Sequence, residues 1–294
     1  PRCPPWCTLL PQEVSLIAMT HARTPIVVGI LNVTPDSFSD GGRHNTADAA
    51  TARGLRMLEE GAGVIDVGGE STRPGAARVD PVEQLQRVIE PIRLLVAAAP
   101  GPIEISIDTT SADVATAALD AGATMLNDVS AGRDPRMFPL AAERGCPIIL
   151  MHMLGEPASM QHNPTYNGDV VEVVRNFLLE RADAAQAAGV APGKIILDPG
   201  IGFGKTLEHN LRLLAHLDRF VDAGYDVMLG ASRKGFIQTL CGDTAVDPKR
   251  RGGGTIATTA LAVQAGVKYL RVHDVAANAQ AVCVAQAILK EKRF

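Results

Sequence analysis

Three polar side chains stand where apolar runs give way to polar ones: Asp108 after Ile105-Ser106-Ile107, Asn127 after Met125-Leu126, and Asp198 after Ile195-Ile196-Leu197. A carboxylate accepts two neighbouring hydrogen bonds, and an amide supplies a donor and an acceptor. Such a set suits the edge of a flat heterocycle that carries an amino group beside a ring N–H. The alternative for Asp108 or Asp198 is that it caps the following turn. Arg73, Arg271, His273 and Asn32 are residues for a polyanion, since cations gathered at one spot are costly unless an anion neutralises them. His273 as a transition-metal ligand is the weaker reading, because no spaced His, Cys or carboxylate set accompanies it.

Asn32 lies in the stretch Gly29-Ile30-Leu31-Asn32-Val33-Thr34-Pro35-Asp36-Ser37-Phe38-Ser39-Asp40-Gly41-Gly42, which follows Ile26-Val27-Val28. A short β-branched run that empties into such residues reads as a buried strand entering a long polar loop. Its amide, hydroxyls and carboxylates suit hydrated Mg²⁺ and phosphate oxygens, and its glycines admit an anion close to backbone N–H groups. An ordinary surface loop is the alternative.

Gly200-Ile201-Gly202-Phe203-Gly204-Lys205-Thr206 imitates a nucleotide-binding loop but fails on spacing, because Pro199 occupies the position that needs the first glycine. It also fails as a dinucleotide fingerprint, because Lys205 stands where the third glycine belongs. No Gly-x-Ser-x-Gly elbow or nucleophilic triad is present. Lys234, in Ser232-Arg233-Lys234, offers a point charge with three donors, against the plainer reading of a surface lysine opening a helix.

These residues need elements to hold them. Strand-like runs recur at 26–31, 64–67, 103–107, 124–127, 147–151, 195–197, 226–230 and 268–272, each entering a polar or glycine-rich turn. Between them lie Ala- and Leu-rich helical segments: Thr46–Glu60, Val82–Ala99, Ala112–Ala121, Pro135–Arg144, Val170–Ala188, His209–Asp222, Thr255–Ala265 and Ala276–Lys292. Gly61, Gly122, Gly145, Gly189 and Gly224 are placed for left-handed helix ends, and Asp80-Pro81 and Asp134-Pro135 for helix starts. Eight strand–helix units predict a single-domain α/β chain, a (β/α)₈ TIM barrel over residues 25–294. A doubly wound open sheet is the minority reading; it would gather ligand contacts at one switch point, whereas here polar residues follow nearly every strand.

The net charge of −4 leaves no electrostatic footprint for nucleic acid, and no apolar run approaches the length needed to cross a bilayer. A cytoplasmic location is the default expectation. The stretch 1–24, with Trp6 and no periodicity, reads as a poorly ordered extension. Cys3 and Cys7 form the only close cysteine pair, and Cys146, Cys241 and Cys283 read as buried or half-buried thiols.

Several separated blocks together resemble the dihydropteroate synthase family, from Ile26 to the end. Besides the Gly29–Gly42 stretch they are Asp66-Val67-Gly68-Gly69-Glu70-Ser71-Thr72-Arg73-Pro74-Gly75, Ser106-Ile107-Asp108-Thr109, Leu126-Asn127-Asp128-Val129-Ser130, Asp198 to Thr206, Ser232-Arg233-Lys234, and Arg271-Val272-His273-Asp274-Val275. The resemblance implies a transferase that joins 6-hydroxymethyl-7,8-dihydropterin pyrophosphate to 4-aminobenzoate. It further implies that Asp198 grips the pterin edge, with Asn127, Asp108, Phe203 and Lys234 completing that pocket. Asn32, Arg73, Arg271 and His273 would surround the pyrophosphate, with Asn32 a ligand of Mg²⁺. Thr72, Pro74, Phe38 and Ser232 would face the aminobenzoate, and Lys234, Arg73 and Asp108 would carry catalysis. The glycines of the Asp198–Thr206 block would let the backbone pass beneath the pterin ring. A homodimer packed through outer helices late in the chain is also implied.

One stretch departs from the family pattern. Lys249-Arg250-Arg251-Gly252-Gly253-Gly254 is more basic and glycine-rich than the family leads one to expect before the last helix pair. Two other classes compete with the synthase reading. One is a pterin barrel that presents methyltetrahydrofolate to a corrinoid protein, which would have little use for the polyanion cage. The other is a paralogue that binds pterin without catalysis.

Overall fold

Strand parity organises the molecule. The computed structural model describes residues 24–34, 43–70, 79–156, 159–242 and 246–292, so the extension expected over 1–24 lies, except for Thr24, outside the described residues. Eight parallel strands, β1 Ile26–Asn32, β2 Val64–Gly68, β3 Glu104–Asp108, β4 Met125–Asp128, β5 Ile148–Met151, β6 Ile195–Asp198, β7 Asp226–Leu229 and β8 Tyr269–Val272, pair in chain order. β8 returns to β1, which closes the barrel. Successive side chains on a strand point to opposite faces. One face carries Leu31, Ile65, Val67, Ile105, Ile107, Leu126 and Leu197, which join the large cluster beneath the helices. The other carries Val28, Val64, Met125, Ile149, Ile196, Met228 and Tyr269, a separate cluster that fills the barrel interior. Each fully buried Ile or Leu of these layers contributes roughly 1.5–3 kcal/mol relative to exposure.

On four strands the layer turns polar two residues further along the same inward face: Asp66, Asn127, Asp198 and Arg271 follow Val64, Met125, Ile196 and Tyr269, while Ile30 and Met151 keep it apolar on β1 and β5. The register adds Ser106 beside Asp66 and Asp108 beside Gly68, and Asn127 beside Asp108. The period of two that buries the apolar floor therefore gathers the polar residues at the carboxyl ends of the strands, the end where barrel enzymes build their sites.

The helices are α1 Arg43–Glu59, α2 Pro81–Ala98, α3 Ala112–Asp120, α4 Met137–Arg144, α5 Val170–Ala187, α6 Leu207–Ala215, α7 Asp218–Val221, α8 Gly235–Cys241, α9 Gly252–Gln264 and α10 Val275–Glu291. Asp80 caps α2 by accepting from Val82 N, with Pro81 as the first helical residue. Gly61, Gly122, Gly145, Gly189 and Gly224 all have positive φ, as their placement after helices requires.

Four expectations are corrected. The segment His209–Asp222 is two helices, because the chain breaks at His216 and Leu217 between α6 and α7. Asp134 does not cap α4 directly: it accepts from Arg136 N and Ala112 N and closes a turn before Met137. Helix α8 carries too few residues for a periodic signal to show, and it was not anticipated. Cys146 is buried, but Cys241 and Cys283 are exposed, because each lies on the outer face of its helix.

Candidate active site

Arg271 crosses the barrel mouth to reach β2 and β3. Its Nε lies 2.6 Å from Asp66 Oδ2 and its Nη2 2.7 Å from Asp108 Oδ2. Asn127 Nδ2 donates to both Asp66 oxygens, at 3.3 and 3.2 Å. Burial disfavours the Arg271 charge, but Asp66 and Asp108 outweigh burial and push its pKa up. Burial raises Asp108 to about 7, with Arg271 opposing and Asp66, Glu70 and Asp128 adding to the rise. Two carboxylates of the barrel thus balance the Arg271 charge, so its guanidinium does not depend on a bound anion alone for neutralisation.

The same network leaves an acceptor over. Asn127 is 2% exposed, and its Oδ1 is buried with no hydrogen-bond partner among the described residues. A buried polar atom without a partner costs about 1–3 kcal/mol, which a ligand N–H would recover. Asp198, 3% exposed, accepts from Gly200 N through Oδ1 at 2.7 Å. A Cβ on Gly230 would lie 3.7 Å from Asp198 Oδ2, so the glycine leaves space beside that oxygen. Burial raises the Asp198 pKa, while the Gly200 N–H, Lys234, Arg271 and Lys205 pull it back. Near it the Lys234 ammonium sits 3.9 Å over the centre of the Phe203 ring, and Phe203 packs with Val129, Met151 and Met160 as an apolar wall.

The glycines of the β6 loop make room for neighbouring backbone. A Cβ on Gly200 would fall 2.0 Å from the His152 carbonyl oxygen, and one on Gly204 2.4 Å from the Leu154 carbonyl oxygen. They let the β6 loop press on the backbone that follows β5. Only Gly202 borders Lys234, with 3.1 Å from its Cβ position to Lys234 Cδ. Lys205 locks this packing: its ammonium donates to the His152 and Phe203 carbonyl oxygens at 3.3 and 3.0 Å and lies 3.0 Å from His152 Nδ1. Burial, reinforced by the Lys205 charge, pushes His152 down to about 3, so the ring is neutral and its Nδ1 accepts.

The structure thus brings Asp108, Asn127, Asp198, Phe203, Lys234 and Arg271 together. Asn32 ends β1, where its Oδ1 lies 3.7 Å from the Cβ position of Gly68 and Asp108 Oδ2 lies 3.8 Å from the same point. Ser232 is buried and its hydroxyl is engaged by His273, 3.0 Å from Nδ1 and accepting from the backbone N–H at 3.2 Å. Arg73, Thr72, Pro74 and Phe38 lie outside the described residues. Asp66 and Lys205 were missed as site residues. Asp66 carried a signal, its inward parity between Val64 and Gly68, whereas nothing local marks Lys205.

A barrel with a buried, charge-balanced mouth shaped for a planar hydrogen-bonding ring defines a class, and the family model for the pterin binding enzymes matches residues 28–273. A dihydropteroate synthase of Mycobacterium leprae (strain TN) is 49% identical over 267 residues, which cover 90% of this chain and 93% of the relative. A solved dihydropteroate synthase of Xanthomonas albilineans with 4-aminobenzoic acid has a TM-score of 0.84 and 47% identity, covering 91% of this chain and 94% of that one. A structure from the same organism in complex with 7,8-dihydropteroate has a TM-score of 0.80 at 43% identity, covering 91% and 95%. The chain belongs to the dihydropteroate synthases, transferases of the pterin-binding family.

Proposed function

We propose that this chain condenses 6-hydroxymethyl-7,8-dihydropterin pyrophosphate with 4-aminobenzoate, releasing pyrophosphate and forming 7,8-dihydropteroate. The observation that carries the reading is the pairing of Asp198, with space beside its Oδ2, and Asn127, whose Oδ1 is a buried acceptor without a partner among the described residues. The Xanthomonas relative is solved with 4-aminobenzoic acid and with 7,8-dihydropteroate, which supports reading this pair as the edge that receives the pterin. Asp198 accepts from the pterin amino group and ring N–H, Asn127 completes the edge, and Phe203 and Lys234 bound the ring. Displacement of pyrophosphate by an arylamine needs no covalent enzyme intermediate. The chain's work is to orient the ring and to neutralise the leaving group.

The leaving group falls to Asn32, Arg73 and His273. Arg271, whose Nε and Nη2 are engaged by Asp66 and Asp108, is the fourth residue of this set. Asn32 Oδ1 and the nearby Asp108 carboxylate are hard oxygen donors of the kind that suit Mg²⁺, and no cluster of three or more His, Cys, Asp or Glu among the described residues suits a transition metal. Asn32 would hold the Mg²⁺ together with pyrophosphate oxygens, and the ion would offset phosphate charge. Thr72, Pro74 and Phe38 are assigned to the aminobenzoate on the family pattern. Ser232, whose hydroxyl also contacts His273, is assigned to the aminobenzoate with them.

Assembly is part of the reading. Leu211, Leu240 and Leu261 are exposed on α6, α8 and α9, around a groove of about 650 Å³ that Leu214, Phe236 and Ile237 also line. Exposed apolar surface of this kind supports a homodimer through the late helices, which light scattering tests. No helix among the described residues is long and apolar enough to cross a membrane. The exposed thiols of Cys241 and Cys283 suit a reducing cytoplasm. Pyrophosphate release from the dihydropterin pyrophosphate, with and without 4-aminobenzoate, decides the activity. Amine-dependent release supports the synthase, and its absence returns the chain to a binding role.

A further inference from the structure

Among the described residues, Ala131, Asn163 and Arg233 are the non-glycine residues with positive φ, and Arg233 directly precedes Lys234. Its φ of 58° lies in the left-handed region, which an arginine occupies only when its surroundings over-determine it. Three separate elements do so. Arg233 N donates to Thr255 Oγ1 of α9 at 3.1 Å, and its guanidinium pairs with Asp274 after β8, Nε to Oδ2 at 3.1 Å and Nη2 to Oδ1 at 2.5 Å. Its carbonyl oxygen accepts from Arg251 Nη1 at 3.0 Å.

Arg251 belongs to the basic, glycine-rich stretch Lys249 to Gly254. Lys249 and Arg250 are exposed, but Arg251 is 8% exposed and turned inward from the 3-10 turn Pro248–Arg251. Its Nη2 donates to Gln238 Oε1 of α8 at 2.5 Å and to the Val246 carbonyl oxygen at 2.8 Å. Thr255 Oγ1 donates back to the Arg251 carbonyl oxygen at 3.0 Å, so the two clamps on Arg233 are themselves joined. Gly254 allows this approach: a Cβ there would lie 2.5 Å from Ile237 Cγ2 of α8.

We propose that Arg251 is a positioning residue for the reaction: by gripping the Arg233 carbonyl it holds the β7 loop in its left-handed turn and so places the Lys234 ammonium over Phe203. A planar fork bridges several fixed acceptors at once, which explains an arginine here where a lysine would serve only as a point charge. The proposal rests on the role of Lys234 in orienting the pterin, as argued above. Misplacement of a reacting ring by about 1 Å is enough for losses on the order of a hundredfold.

The test is a double-mutant cycle on the full chain, read as kcat/KM for the dihydropterin pyrophosphate at saturating 4-aminobenzoate, with thermal melting alongside. Arg251→Gln is expected to lower kcat/KM about tenfold or more, and Arg251→Lys to recover part of it. The double variant Arg251→Gln with Lys234→Ala should match Lys234→Ala alone within about twofold, because a residue acting through Lys234 has nothing left to place. Arg233→Gly gives a second route should Arg251→Gln fail to fold, since glycine adopts this φ freely, and the same non-additivity is expected of it. Multiplicative losses in the cycle, or full activity in Arg251→Gln, would overturn the positioning role and leave the proposed function standing. Full kcat/KM in Lys234→Ala alone would remove the task assigned to Lys234 and the positioning role with it, while the synthase activity would stand.

Discussion

The Arg271 guanidinium lies between Asp66 and Asp108, 2.6 Å from one carboxylate through Nε and 2.7 Å from the other through Nη2. Both carboxylates are buried, and they come from neighbouring strands. Without the guanidinium between them, two acids would share a site that water does not reach. Breaking a buried pair of this kind costs about 3–5 kcal/mol, mostly through the charges left behind. We therefore expect Arg271→Met to lose that much stability at pH 7. The loss should be larger at pH 9 than at pH 6, because Asp108, at about 7 even with the guanidinium opposing the rise, is pushed higher without it and takes up a proton as pH falls. Urea midpoints at both pH values check this, and an equal drop at each would show that the guanidinium serves packing alone.

Asp198→Asn tests the pterin edge with little disturbance of the fold, because the Asn carbonyl can still accept from Gly200 N. It removes the charge from the contact and leaves one ligand donor facing an amide. The expected cost is about 2–4 kcal/mol of pterin affinity. Calorimetry with a non-reactive pterin measures it, and unchanged affinity would remove Asp198 from the site.

His152 gives a pH signature of stability. Its folded pKa of about 3 lies below the unfolded value near 6.5, first because it is buried and then because Lys205 is beside it. The unfolded chain therefore binds more protons through that window, and stability falls as pH drops from about 6.5 towards 3. Between pH 6.5 and 5 the loss is about 2 kcal/mol. His152→Asn keeps an acceptor for Lys205 and removes the titration, so its stability should be flatter over the same range. Parallel curves for the two proteins would assign the acid sensitivity elsewhere.

Gly200 and Gly224 separate backbone strain from collision. Both have positive φ, 67° and 89°, but a Cβ at Gly224 meets nothing within 4 Å, whereas one at Gly200 strikes the His152 carbonyl. Gly224→Ala is expected to cost about 1 kcal/mol for the conformation alone. Gly200→Ala should cost clearly more and should also impair turnover, because the β6 loop carries Phe203. Similar thermal shifts in the two variants would mean that the β5 and β6 loops move apart without penalty.

Much of this architecture was already written in the chain. A period of two in short apolar runs, helical segments between them and glycines after the helices are local signals, so the eight-fold barrel followed from counting them. The polar residues at the strand ends were visible for the same reason: Asp108, Asn127 and Asp198 each stand at an abrupt change from apolar to polar. What the sequence could not state is which of these charges meet. Arg271 is 205 residues from Asp66, and only closure of β8 onto β1 sets this guanidinium between two acids. The tasks of Gly200 and Gly204 were hidden likewise, because the carbonyls they accommodate belong to the turn after β5. Arg251 is the clearest case, since its partners lie on a helix too short to show a period and on a loop residue in an uncommon conformation. Local periodicity determines where strands and helices form. Which side chain completes which is a long-range matter, decided when the barrel closes and the outer helices settle against its loops.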